Sequence, residues 1–407
     1  MSSSTSVRQE RRRRPKDRKA QIARASAEAF SELGYHGVSM EDIAGRVGVT
    51  AASLYRHYAG KYALFQAAVL GMGKNMVDIT AFLDDSDAEP EAMWDRAVSA
   101  LIESALKNRN SGGLYRWEVR FLDAADQQFL DEQITVVNRR LQRPIELLRP
   151  ELPSRHRTIL ASAVLSVIGS ITDHHARLAT DRIHATLARI ARDIRDMELP
   201  PAAPRGVAPR RRAVGAAAGE YEQILQSAML LFNERGFRDT SMEDIAAAVD
   251  MSTTGIYRFF LSKGAILAAL FRRGADRVSG DVAEVLASAD DPRESVIGLV
   301  DSYVRRSIAS PELAFVYYAE RANVPAEDQA AIHSMQRATV EAWSSQVAAA
   351  HPELAADEAR FAVQGGYALA VDVGRLLRHE DPESAIAILR RLMLTTLLGL
   401  NTGPRSL

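Results

Sequence analysis

Ile22, Ala25, Ala29, Phe30 and Leu33 recur at spacings of three and four, so an amphipathic helix is predicted from about Lys16 to Leu33. Gly34 stands just past its end, where a left-handed cap residue costs least. In Ser39-Met40-Glu41-Asp42 a hydroxyl is followed three residues later by a carboxylate, the arrangement that satisfies free amides at a helix start. Ile43, Ala44 and Val47 then supply the inner face of a short second helix. Gly48-Val49-Thr50 offers a sharp turn, an apolar plug and a capping hydroxyl for a third helix, predicted from about Ala51 to Tyr58. Ala44 is small enough to let the two helices cross closely. Helix, tight turn and short helix make a helix-turn-helix, whose second helix is the one built to enter a major groove.

The pattern occurs twice. At an offset of 202 residues, Ile22 to Val69 matches Ile224 to Phe271 at 16 of 48 positions without a gap. Phe30/Phe232, Gly34/Gly236, the block Ser39 to Ala44 against Ser241 to Ala246, Tyr55/Tyr257, Arg56/Arg258 and Lys61/Lys263 are among the identities. The same offset pairs Tyr115 with Tyr317, Glu118 with Glu320, and Pro150-Glu151-Leu152 with Pro352-Glu353-Leu354, so the whole chain reads as a duplication. Between the copies, Leu199 to Gly219 is rich in Pro, Ala, Gly and Arg without aliphatic periodicity, as expected of a linker. The resulting division is a basic arm (1–15), a head (16–66), a body (67–197), a linker (198–219), a second head (220–268) and a second body (269–407).

The run FSELGYHGVSMEDIAGRVGVTAASLYRHYAGKYALFQAAV and its partner FNERGFRDTSMEDIAAAVDMSTTGIYRFFLSKGAILAALF resemble the N-terminal DNA-binding domain of TetR-type regulators. The resemblance implies an all-α fold of two tandem units. Each is a three-helix helix-turn-helix domain followed by a helical ligand-binding and dimerisation body, and the two pack as an intrachain pseudo-dimer. It implies that Thr50 and Ser252 meet phosphate at the start of the recognition helix, consistent with the anion preference of helix N-termini. Tyr55 and Tyr257 would lean on the sugar-phosphate backbone, and Lys61 and Lys263 would neutralise a further phosphate. Base reading would fall to Ala51, Ala52, Ser53 and Arg56 in the first head and to Thr253, Thr254, Gly255 and Arg258 in the second. His57 and the cap serines Ser39 and Ser241 complete the candidate set. Two departures fall in the second head: Asp250 replaces the turn glycine, and Gly255 weakens the recognition helix by about 1 kcal/mol relative to Ala.

Charge sharpens this picture. The chain carries a formal −1, but 1–70 carries +6 and 205–275 carries +3, which leaves −10 on the remainder. Two basic segments on acidic bodies form the footprint of separate DNA-reading heads. Arg11, Arg12, Arg13 and Arg14 precede the first head, and Arg210, Arg211 and Arg212 the second, where each arm could lie along phosphates or reach into a minor groove. No cysteine occurs, which excludes disulfides, thiolate metal sites and cysteine nucleophiles. No apolar stretch follows the basic N-terminus, and the near-apolar run Ile159 to Ile171 is too short to span a bilayer, so a cytoplasmic protein with no membrane partner is expected. A glycine-rich phosphate loop, a serine elbow and a recognisable carboxylate pair are all lacking, so no enzyme is expected.

Two heads with unlike base-facing residues in one chain predict an operator with two unlike half-sites, read as double-stranded DNA by a single-chain pseudo-dimer. The alternative is a chain with one silent head, acting as a sensing module or as a conventional dimer on a palindrome. By the resemblance, the last two long helices of each body form a four-helix bundle, with Arg157 to Ala179 and Ala359 to Arg378 as candidates and Gly169, Gly365 and Gly366 permitting close packing. The resemblance also implies an effector pocket in the body. Tyr115, Trp117, Glu118, Phe121, Tyr317, Tyr318 and Glu320 are its candidate lining, and a lipid-like or acyl effector, with no cofactor, is the expectation. Asp173-His174-His175 and His184 do not form a metal site in this reading, because adjacent histidines on a helix point about 100° apart.

Overall fold

A computed structural model describes residues 15–201 and 219–400. Within the described residues the fold is all-helical. The first half runs α1 (Pro15–Gly37), α2 (Met40–Val47), α3 (Ala51–Tyr55), α4 (Lys61–Thr80), α5 (Pro90–Lys107), α6 (Leu114–Trp117), α7 (Ala124–Leu148), α8 (Ser154–Gly169) and α9 (Thr180–Asp196). The second half repeats the order as α10 (Glu220–Arg235), α11 (Met242–Ala248), α12 (Thr253–Tyr257), α13 (Lys263–Ser288), α14 (Pro292–Ala309), α15 (Pro311–Glu320), α16 (Ala326–Ala350), α17 (Ala356–Leu376) and α18 (Pro382–Leu398). Helices α13, α14, α16, α17 and α18 each begin 202 residues after their counterparts α4, α5, α7, α8 and α9, so the register of the repeat survives through both bodies.

Each head has its own apolar core, completed by residues of its body. Ile22, Phe30, Ile43, Leu54 and Phe65 of the first head pack with Leu114, Leu122 and Leu130. Ile224, Phe232, Ile245, Ile256 and Leu267 of the second pack with Val316, Val324 and Ile332, the same three register positions. The bodies differ in kind from this, because a single core runs through both of them, from Leu83 to Leu199 and from Val282 to Leu398. Helices α8, α9, α17 and α18 form the four-helix bundle at its centre, with α8 and α17 packed across the halves. A Cβ placed on Gly365 would lie 3.2 Å from Val167 Cγ1, so the two backbones approach there to a distance that only a small residue fits comfortably. Gly169 instead faces Tyr115 and Arg116, and Gly366 faces Met393 and Leu397.

Three boundaries differ from the sequence expectation. The helix predicted to run to Ala179 ends at Gly169, and after a short 3-10 turn the chain is non-helical from 174 to 179. Long-range bonds override the helical period here: Asp173 is drawn to Arg116 and Trp117, and Arg109 donates to the carbonyls of His174 and Ala176. The third helix ends at Tyr55 rather than Tyr58. Leu199 is buried in the shared core, so the first residues assigned to the linker are docked on the body.

Candidate nucleic-acid interface

In the first head, α1 is broken at Gly34 (φ 72°), and the chain turns toward α2. Ser39 Oγ accepts from the Asp42 amide at 3.1 Å while Asp42 Oδ2 accepts from the Ser39 amide at 2.9 Å. The second head repeats this reciprocal cap with Ser241 and Asp244, at 3.0 and 2.8 Å. Each pair satisfies two amides that the helix cannot, worth about 1 kcal/mol per cap. The cap serine hydroxyls also donate to these aspartates, so Ser39 and Ser241 hold the motif in shape from within it.

The turn that follows needs a left-handed residue. Gly48 supplies it at φ 68°; in the second head Asp250 does so at φ 55°, the one positive φ outside glycine among the described residues. Thr50 Oγ1 then accepts from the Ser53 amide at 3.3 Å, and Ser252 Oγ from the Gly255 amide at 3.1 Å, which starts each recognition helix. Leu54 and Ile256 are fully buried and pin these helices to their heads. Ala52, Tyr55 and Arg56, and in the second head Thr254, Tyr257 and Arg258, face outward, with Ala51, Ser53, His57, Thr253 and Gly255 half-buried beside them. Tyr55 is 55% and Tyr257 48% exposed, unusual for large rings in otherwise well-filled heads. Arg56 Nη2 donates to Ser53 Oγ at 3.1 Å, tethering two candidate base readers together.

Lys61 and Lys263 are placed differently from the other candidates. The Lys61 ammonium lies 4.6 Å from the centre of the Tyr35 ring, and burial followed by the charge of Arg238 lowers its pKa. Lys263 donates to the carbonyls of Arg238 and Thr240 and sits 4.5 Å from the Phe237 ring centre. Lys61 therefore packs on the last turn of α1, and Lys263 holds the loop between α10 and α11. Arg11 to Arg14 and Arg210 to Arg212 lie outside the described residues.

One bond between head and body is repeated in both halves. Glu118 Oε2 accepts from the Tyr35 amide at 3.1 Å, and Glu320 Oε1 from the Phe237 amide at 2.9 Å. Burial pushes the Glu118 carboxyl up to about 7, against the pull of the Tyr35 amide and Arg120. Burial raises Glu320 as well, although Arg120 reaches across from the first half to pair with it at 2.5 Å. The heads also meet directly, with His36 Nε2 3.5 Å from Asp239 Oδ2.

Of the expected pocket residues, Tyr115 lines a half-open cavity of about 640 Å³ in the first body, bordered by the end of α17. Trp117, Glu118, Phe121, Tyr317, Tyr318 and Glu320 instead line a separate cleft of about 940 Å³ beneath the two heads. Trp117 stacks on Tyr318 across the halves at 4.7 Å between ring centres, which is why this aromatic stripe faces the other half rather than its own body.

The sequence reading missed what holds the halves together at this level. Arg116, whose side chain is 5% exposed, pairs with Asp173 of its own half and, at 2.6 Å, with Asp372 of the other. Ser166 also donates to Asp372 at 2.6 Å. The register counterparts of Arg116, Asp173 and Asp372 are Tyr318, Arg375 and Ser170, so the contact is complementary rather than two-fold symmetric. Among the described residues no group of three or more His, Asp or Glu could hold a metal ion, and no helix is long and apolar enough to cross a membrane.

The family model of bacterial regulatory proteins, tetR family, matches residues 22–68 and again 224–270. The HTH-type transcriptional repressor KstR2 of Rhodococcus jostii is 30% identical over 112 residues, covering 28% of this chain and 55% of the relative. The HTH-type transcriptional activator FasR of Mycolicibacterium smegmatis is 38% identical over 66 residues, 16% of this chain and 30% of the relative. The chain thus spans about half the length of the first of these curated relatives and less of the second. Among solved structures, the ketosteroid transcriptional regulator KstR2 of Mycobacterium tuberculosis aligns at 20% identity and a TM-score of 0.41 over 46% of this chain and 98% of its own. A TetR-family transcriptional regulator from Bordetella parapertussis aligns at 20% identity and a TM-score of 0.37, with the same coverage.

Proposed function

From a chain that carries two domains of the tetR family of bacterial regulatory proteins, at residues 22–68 and 224–270, we propose a DNA-binding transcriptional regulator that works as a single-chain pseudo-dimer. Its operator has two unlike half-sites. The observation that carries this reading is the pair of capped recognition helices mounted on one shared bundle, whose outer turns differ: Ala52 is exposed beside half-buried Ala51 and Ser53 in one, and Thr254 beside half-buried Thr253 and Gly255 in the other. A two-fold protein demands a two-fold site, and a pseudo-two-fold protein with different readers demands different half-sites. The chain acts as a repressor that an effector releases. Its cavity in the first body, closed partly by the second half, supports a ligand shifting the equilibrium between head arrangements.

Sedimentation of the chain with its upstream DNA at low salt, together with a footprint, tests this. One chain protecting two adjacent unlike sequences is the expected result; two chains on a strict palindrome would overturn it. Separate Arg56→Ala and Arg258→Ala variants should each weaken binding, by about 1–3 kcal/mol if each arginine reads a base. Loss from only one of them would assign the work to a single head.

A further inference from the structure

The register positions that line the cavity in the first body carry different side chains in the second. Its walls are mostly apolar, formed by Met72, Met76, Leu101, Val119, Ile134 and Leu165. At the register positions of Leu101 and Leu165 the second half carries Tyr303 and Tyr367, and at that of the buried Leu141 it carries Trp343. These three rings pack on one another, with centres 5.8, 4.9 and 5.3 Å apart. Ser104, which faces the first cavity, is replaced by Arg306, paired with Asp281. Ile134 is replaced by Gln336, which accepts from the Tyr317 hydroxyl. At four positions that bound open space in the first body the second thus carries Tyr303, Tyr367, Arg306 and Gln336, with Trp343 packed against the two rings.

The rim is one-sided too. The end of α17 and the residues after it bring Arg375, Leu376, Arg378 and His379 from the second half to the mouth of the first cavity. Among the described residues neither Arg375 nor Arg378 has a carboxylate within ion-pair distance; Arg375 lies 4.6 Å from the Phe315 ring centre, and Arg378 donates to His379. The corresponding stretch of the first half is the non-helical segment after Thr172. There Asp173 is consumed by Arg116, and His174 lies against Phe361, 4.8 Å between ring centres. Asp372, which lines the same cavity, is already bound by Arg116 and Ser166, and Asp131 is the other carboxylate in its wall. A largely apolar chamber with two guanidinium groups outside ion-pair distance of either carboxylate suits a molecule with an apolar body and an anionic end.

We propose that the chain binds one amphipathic anion, in the first body only, its apolar part among Met72, Met76, Leu101, Ile134 and Leu165 and its anionic end at Arg375 and Arg378 of the second half. This rests on the effector-responsive reading above and adds that sensing is asymmetric: one half supplies the chamber, the other the charged rim. Calorimetric titration of the full chain with dodecanoate tests it. One site per chain is expected. Leu101→Tyr/Leu165→Tyr, which transplants the second half's rings, should abolish binding, Arg375→Gln/Arg378→Gln should weaken it at least about tenfold, and Tyr303→Leu/Tyr367→Leu should leave the first site intact. Far-ultraviolet circular dichroism confirms that each variant is folded; should the tyrosine transplant not fold, the rim variant alone decides. Two equivalent sites per chain, or unchanged binding in the rim variant, would overturn the proposal. If in that case dodecanoate still alters DNA affinity, the effector reading stands without the asymmetry; absence of binding to the wild-type chain sinks the inference, and an effector reading then needs a DNA-release response to some other ligand.

Discussion

Glu118 ties the stability of the first head to pH in a direction that the structure fixes. Its carboxyl accepts from the Tyr35 amide and faces Arg120 and Glu320, and burial moves it from 4.5 to about 7. Between those values the folded chain holds a proton that the unfolded chain has released. The stabilisation is therefore complete below pH 4.5 and is lost as pH rises through 7. Each tenfold change in proton affinity corresponds to about 1.4 kcal/mol, so the full excursion amounts to about 3 kcal/mol. Glu118→Gln keeps an acceptor for Tyr35 and imitates the protonated acid at every pH. Urea unfolding of both proteins across this range isolates the one group, because the other titrations cancel in the difference. The two should agree to within about 0.5 kcal/mol near pH 4.5, and the glutamine variant should lead by about 3 kcal/mol at pH 8. A stability difference that stays flat with pH, or changes in the opposite sense, would refute the assignment.

Other perturbations follow from the same geometry. Arg116→Met strands the buried Asp173 carboxylate with only the Trp117 ring N–H, and should destabilise the chain by about 3–5 kcal/mol in urea unfolding, with adding Asp173→Leu recovering much of the loss. Asp250→Gly relieves the positive φ of the second turn and should raise the stability of that head by about 1 kcal/mol, read from hydrogen exchange of its amides. Thr50→Ala and Ser252→Ala each remove a recognition-helix cap, costing about 1 kcal/mol locally, and should lower affinity for any duplex, measured by fluorescence anisotropy.

The heads were legible in the sequence because their signals are local. Ser39 and Asp42 are three residues apart, Gly34 and Gly48 mark left-handed positions, and Asp250 could be anticipated at positive φ from its place in the repeat. The bodies were legible only in outline. Periodicity showed helices, but nothing within a few residues of Gly169 announces that α8 stops there, since Arg109, Arg116 and Trp117, some 50 to 65 residues earlier in the chain, decide it. The Arg116–Asp372 pair joins residues 256 apart, and the repeat hides it, because the register counterparts are Tyr318 and Ser170. The same holds for the pocket: an aromatic stripe at helical spacing was visible, but whether Trp117 lines a chamber or stacks on Tyr318 depends on how two halves meet.

Under the single-chain reading proposed above, a bundle whose four helices come from one polypeptide forms without the association of two subunits. Two separate subunits populate their DNA-binding form in proportion to the square of their concentration when dilute, whereas α8, α9, α17 and α18 are delivered together with every chain synthesised. The fraction of operator occupied would then rise in simple proportion to copy number from the first molecules made. A regulator of the proposed kind could be kept scarce without losing its assembled state.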